Sequence, residues 1–203
     1  MSKVQVDTID TRSGTSTMQI GSTNTSTINI GVSGDTVNIP SGVTIANAGT
    51  ATGFGGDGTP KFYVKKNADQ TGITDNAVTK VTFETEEIDS DSAFASNKFT
   101  VPSGEGGTYF IGFNFIGARP NQTKNARGLI YKNGSAINTG QLDFNSSPNG
   151  YAITIHLTRI IELSASDYIE FYGAADSQDG NTVTFYQSNT SGDACYAYGY
   201  KIG

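Results

Sequence analysis

Tyr109-Phe110-Ile111-Gly112-Phe113-Asn114-Phe115 is the stretch that decides the fold class. In an extended strand alternate side chains share a face, so Tyr109, Ile111, Phe113 and Phe115 fall on one side and Phe110, Gly112 and Asn114 on the other. The first face reads as a hydrophobic core. The second is packed less deeply or lies at a subunit contact.

Working outward, short runs rich in Val, Ile, Tyr, Phe and Thr alternate with polar turns, the spacing of a β-sandwich. Candidate strands are 62–65, 77–84, 98–101, 108–117, 128–132, 152–163, 168–174, 182–187 and 194–202. No segment carries a helical period. Lys132-Asn133-Gly134-Ser135 marks a hairpin, because Asn-Gly accepts the positive φ angles of a two-residue turn. Ser164-Ala165-Ser166-Asp167 joins two further strands.

The composition agrees. Charged residues are only 16% of the 203, and Trp is absent, so polarity comes from Ser, Thr, Asn and Gly, a mix of β surfaces and fibres rather than of helical bundles. A net charge of −6 repels nucleic acid phosphate and anionic lipid, so no nucleic acid partner and no membrane insertion are expected. The apolar runs fall short of a membrane span, and MSKVQVDTID shows no signal-peptide core, so synthesis in the cytoplasm is expected. Cys195 is the single cysteine and permits no internal disulfide.

The chain changes character near residue 60. From Ser13 to Pro60 there is no Lys or Arg, and Phe54 is the only aromatic residue; no ordinary core can be built from this. Instead, apolar-polar-apolar triplets recur: Val4-Gln5-Val6, Met18-Gln19-Ile20, Ile28-Asn29-Ile30, Val37-Asn38-Ile39 and Val43-Thr44-Ile45. Each offers two aliphatic groups to one face, and a single chain cannot bury that stripe. Stacking on identical chains around a shared axis would. Residues 1–53 are therefore expected to form a trimeric β-repeat stalk, 54–60 a Gly-rich joint, and 61–203 the head. A disordered Gly/Ser/Thr linker is the alternative for the first segment.

Little in the chain suggests catalysis. A Ser/His/Asp triad would have to use His156, which alternates with Ile155 and Leu157 and so points away from the core. One His and one Cys cannot build a zinc site within one chain. Glu84, Glu86, Glu87, Asp89 and Asp91 could supply the paired carboxylates of a glycan hydrolase, but the stretch 84–96 reads as a solvated loop. No Walker or Rossmann loop is present. The expectation is a non-enzyme with no cofactor.

Phe62-Tyr63-Val64, Val81-Thr82-Phe83, Phe94, Asn97-Lys98-Phe99-Thr100-Val101-Pro102, Tyr109-Phe110, Leu129 to Gly134, Leu163 to Ile169 and Cys195 to Ile202 follow one another in an order that resembles the complement-q globular head. The resemblance covers residues 61–203. It implies a ten-stranded jelly roll similar in fold to tumour necrosis factor, and tight homotrimers. Two departures are a longer turn at 103–107 and a closing element represented only by Tyr196, Tyr198, Gly199 and Tyr200. Some members bind calcium, which Asp176, Asp179, Asn181 and Asp193 could ligate, but their spacing matches no EF-hand and no metal is expected.

An all-β stalk followed by a trimeric jelly-roll head is the architecture of a virion fibre, above all a bacteriophage tail or capsid fibre that attaches the particle to a host surface glycan or protein. The alternatives are a secreted complement-q-like adhesion protein and a polysaccharide depolymerase tailspike. In the resembled fold both ends of the head lie at its base, so the N-terminus, residues 1–12, would dock to other virion proteins and the apical loops would be 118–126, 145–150, 176–181 and 188–193. Their receptor-binding candidates are Arg119, Asn121, Asn145, Asn149, Asp176, Asp179, Asn181, Tyr186 and Asp193.

Overall fold

Alternation along the quoted stretch builds the longest strand of the protein. The computed structural model describes residues 20, 26–31, 33–44, 58–119, 122–144, 152–187 and 194–202. Among them are twelve strands and no helix: β1 (Lys61–Lys65), β2 (Gln70–Ile73), β3 (Thr79–Lys80), β4 (Thr85–Asp89), β5 (Phe99–Thr100), β6 (Gly107–Ala118), β7 (Thr123–Lys132), β8 (Ser135–Asp143), β9 (Ile153–Leu163), β10 (Tyr168–Ser177), β11 (Val183–Phe185) and β12 (Tyr196–Lys201). The count exceeds the ten that the resemblance implies, and the strands outside the expected segments are β2, β4 and β8.

All pairings are antiparallel and make two sheets. Seven strands run β2-β11-β6-β12-β1-β4, with β9 along the other edge of β6; five run β3-β10-β7-β8, with β5 on β10. The sheets face each other across one core, the two-layer arrangement of a jelly-roll-like sandwich. Tyr109, Ile111, Phe113 and Phe115 of β6 are buried in it, as alternation requires, with Phe62 and Val64 of β1 and Ile169 and Phe171 of β10. Phe62 stacks on Phe99 at 4.7 Å, Phe113 meets Phe171 at 5.1 Å, and Phe115 meets Phe185 edge-on at 4.8 Å. Each fully buried Phe contributes about 2–3 kcal/mol.

Asn133 and Gly134 take φ of 51° and 78° and close the β7–β8 hairpin. The loop 164–167 is fastened to it. Asp167 accepts hydrogen bonds from Asn133 Nδ2 at 2.7 Å and Ser164 N–H at 2.8 Å, and pairs with Lys132 at 2.8 Å. The Lys132 ammonium, then the Asn133 amide, hold its carboxyl down at about 2.

Three expectations are corrected. Only Thr79–Lys80 of the stretch 77–84 pairs as a strand. Val81 and Phe83 still enter the core, their N–H groups held by Phe171 O and Asn97 Oδ1 instead of a continuous ladder. The stretch 84–96 is not simply a solvated loop: Thr85–Asp89 is an edge strand on β1, its charges facing solvent as edge strands need. Finally, Ser135–Asp143 forms a full strand, although its polar sequence carries no strand alternation.

The chain divides into two units, Met1–Ala51 and Thr52–Gly203. In the first, no strand occurs among the described residues, and Ile20, Ile28, Ile30, Val37, Ile39 and Val43 are exposed. Residues 1–19, 21–25, 32 and 45–57 lie outside the described residues, and with them the docking segment, the triplet at 4–6, parts of those at 18–20 and 43–45, and most of the joint.

The Phe115 ring fills a slot formed by two glycines. A Cβ on Gly173 would stand 2.2 Å from that ring, and one on Gly117 2.8 Å from it. Gly173→Ala is therefore expected to destabilise the head by about 1–3 kcal/mol through overpacking, read as a lower denaturation midpoint. An unchanged midpoint would contradict this packing.

Candidate functional site: an aromatic sheet face and a distal polar cluster

Residues paired across an antiparallel ladder share a face, so register alone maps the outer side of the seven-stranded sheet. Lys61, Tyr200, Phe110 and Ile160 form one row across β1, β12, β6 and β9; Tyr63, Tyr198, Gly112 and Thr158 the next; Lys65, Tyr196, Asn114 and His156 the third. Ile88 of β4 extends the middle row beside Tyr63.

Five rings make a continuous ladder on this face. Tyr63 lies 5.7 Å from Tyr196, Tyr196 lies 6.2 Å from Tyr198, Tyr198 lies 6.1 Å from Phe110, and Phe110 lies 5.6 Å from Tyr200. The ladder lies low because of one glycine: a Cβ on Gly112 would fall 2.1 Å from Cζ of Tyr198, so the ring rests on bare backbone. Around it Ile88, Ile160 and Tyr200 are 46%, 63% and 41% exposed, too much apolar surface in one place for an ordinary solvent face. A groove of about 890 Å³ runs along it, lined by Lys61, Tyr63, Ile88, Tyr196, Tyr198 and Tyr200. Burial, then Tyr196 and Tyr200, push the Tyr198 phenol above its ordinary value.

The second site is at the far end of the head. Lys201 pairs with Tyr109 near the start of β6, and Ala118 ends that strand nine residues on, roughly 30 Å away. There Gln122 N–H, just ahead of β7, donates to Arg119 O at 2.9 Å, and the turn after Ser177 leaves β10. Arg119 Nη2 bonds Asp179 Oδ2 at 3.0 Å, and Asn181 donates to the same carboxylate from its backbone N–H at 3.1 Å and its Nδ2 at 2.9 Å. The Asn181 amide, then Arg119, hold the Asp179 carboxyl well below the usual range. Asp176 receives Lys124 Nζ at 2.8 Å and Asn125 Nδ2 at 3.2 Å, an interaction that raises the Lys124 ammonium. Buried Ser177 ties β10 to Asp75 through its N–H at 2.6 Å.

The structure thus gathers Arg119, Asp179 and Asn181, with Asp176 nearby on β10. Tyr186 lies at the same end of β6, its N–H donating to Ile116 O at 3.0 Å. Asn121, Asn145, Asn149 and Asp193 lie outside the described residues. Among the described residues no three His, Cys, Asp or Glu side chains converge as a metal site.

Of the other candidates, Glu84, Glu87 and Asp89 have structural partners. Glu84 meets the buried Lys66 ammonium at 3.3 Å and the Asn67 N–H at 2.8 Å; burial raises its carboxyl, but Asn67 and Lys66 together keep it below the ordinary value. Glu87 pairs with Lys65, and Asp89 caps the N–H groups of Ala93 and Phe94. Cys195 is buried, which pushes its thiol up to about 12; it is no nucleophile at neutral pH. His156 is exposed, facing away from the core.

Strand order and register define the class of this head: an antiparallel jelly-roll-like sandwich with an aromatic outer face and polar distal loops. No family model and no curated protein matches the chain. Among solved structures, the globular domain of zebrafish complement 1qA protein is 15% identical over 71% of this chain and 98% of its own, with a TM-score of 0.48. Murine APRIL, crystallised at pH 5.0, is 10% identical over 70% and 98%, with a TM-score of 0.49.

The alternation leaves the Phe110 face either less deeply packed or at a subunit contact, and singles out none of its residues as a site. The signal was the alternation Tyr196, Tyr198, Tyr200, whose partners become visible only in the register. Gly112→Ala is expected to lift the Tyr198 ring and alter the near-ultraviolet circular dichroism of the tyrosines, with far-ultraviolet spectra preserved. Identical near-ultraviolet spectra would contradict the stacked ladder.

Proposed function

We propose that the chain is a non-enzymatic, self-associating binding protein: a homotrimeric virion fibre, of the bacteriophage tail or capsid, that attaches the particle to a host surface glycan or protein. The observation that carries this reading is the aromatic face of β1, β12 and β6, flanked by exposed Ile88 and Ile160. A surface that apolar is stabilised by covering it, and a second copy of the same chain is always available to do so.

The aliphatic triplets support the same association. Ile28 with Ile30 and Val37 with Ile39 are exposed in the single chain, and winding three chains together would bury them as a β stalk. The order of motifs resembling complement-q heads favours three copies. With the particle held at the N-terminus, the loops around Arg119, Asp179 and Asn181 would meet the host. Their mutual hydrogen bonds fix the side chains before any ligand arrives, which lowers the ordering cost of binding. Three such sites per fibre and several fibres per particle turn weak contacts into firm attachment.

Two variants test the reading. Tyr198→Arg places an unpaired charge in the proposed interface and should leave the full chain monomeric; a trimer as tight as wild type would place the interface elsewhere. Replacing Asp176, Asp179 and Asn181 together by Ala should keep the trimer and lower adsorption to host cells by at least about tenfold through the loss of avidity. Unchanged adsorption would remove the distal loops from the reading.

A further inference from the structure

The chain holds one histidine, and register fixes its surroundings. His156 pairs with Asn114 of β6, Asn114 pairs on its other edge with Tyr196 of β12, and Tyr196 pairs with Lys65 of β1. The imidazole therefore belongs to the aromatic face, although it lies on the strand farthest from the ring ladder. In the single chain it is exposed.

What surrounds it decides what a proton would do there. On its own strand the neighbours on this face are Thr154 and Thr158. Across β6 stands Asn114, whose amide is occupied by Ala194 O. Beyond Tyr196, Lys65 is three strands away, roughly 14 Å, and is held by Glu87. Glu162 lies six residues along β9, roughly 20 Å, and accepts from the Thr108 hydroxyl. Arg159 projects to the opposite side, toward Ile137 O. β7 and β8 pack against the inner face of β9, where Ile155 and Leu157 lie over Gly128 and Gly140. Their charged groups Lys124, Arg127, Lys132 and Asp143 are engaged by Asp176, Asn76, Asp167 and Gln141. No carboxylate stands beside His156 among the described residues.

We propose that the aromatic face is a proton-sensitive interface, in which His156 keeps the subunits together while neutral and loosens them when charged. The inference rests on the self-association reading above and adds its regulation. Covering the face removes the imidazole from water with only neutral neighbours among the described residues of its own chain, and a charge buried without a partner is strongly disfavoured. The proton therefore binds preferentially to separated chains. Association is favoured while the imidazole is neutral and is progressively lost as acidification charges it. A fibre in an acidic surface layer would hold its subunits together less tightly.

Sedimentation velocity of the full chain tests this from about pH 8 to about pH 5, across the imidazole range, with wild type, His156→Gln and His156→Arg. The wild-type dissociation constant should rise by more than about tenfold on acidification, as expected for charging a buried group. His156→Gln should show no such rise, and His156→Arg should be weakened already at the alkaline end. Equal pH responses in wild type and His156→Gln, or tight association of His156→Arg, would overturn the inference while leaving self-association standing. A wild-type chain that is monomeric at the alkaline end would instead overturn the self-association reading on which the inference rests.

Discussion

The strand Gly107–Ala118 has apolar groups on both faces, and one domain can bury only one of them. The inner set, Tyr109, Ile111, Phe113 and Phe115, is enclosed by the second sheet. The outer set begins with Phe110 and is completed by rings from β12 and β1 that the ladder brings alongside. Almost every feature of the head follows from that division. Glycines at 117 and 173 open space for Phe115 inside, and Gly112 opens space for Tyr198 outside. The same small residue thus serves both faces, once to fill a core and once to flatten a surface.

Much of this was legible in the chain itself, where alternation and turn chemistry were strong. β6, the buried phase of β9 and the Asn133-Gly134 hairpin could be read directly, because each depends only on local spacing. β8 could not, since Ser135–Asp143 carries only Ile137 and Leu142 as large apolar residues and is held by pairing to β7. β4 was hidden for a related reason: an edge strand needs charges, and charges read as loop. The aromatic face required register, for Tyr63 and Tyr198 are more than a hundred residues apart in sequence and adjacent in the sheet.

The distal cluster shows the same limit in polar form. The fold that the motif order resembles, rather than alternation of the legible strands, is what put the turns after β6 and β10 at one end of the head, since β8 was not among those strands. It could not reveal that Arg119 and Asn181 converge on Asp179, nor that Lys124 and Asn125 converge on Asp176. These are long-range pairings fixed by the packing of β6, β7 and β10. A pre-formed polar surface at one end and an apolar face along the side divide the work: the side would assemble copies, and the end would meet a ligand.

The central claim is that the outer aromatic face is covered by copies of the same chain. Sedimentation equilibrium of the full chain at micromolar concentration and neutral pH tests it most directly. The account predicts a single species of three chain masses. A stable, folded species of one chain mass would contradict it.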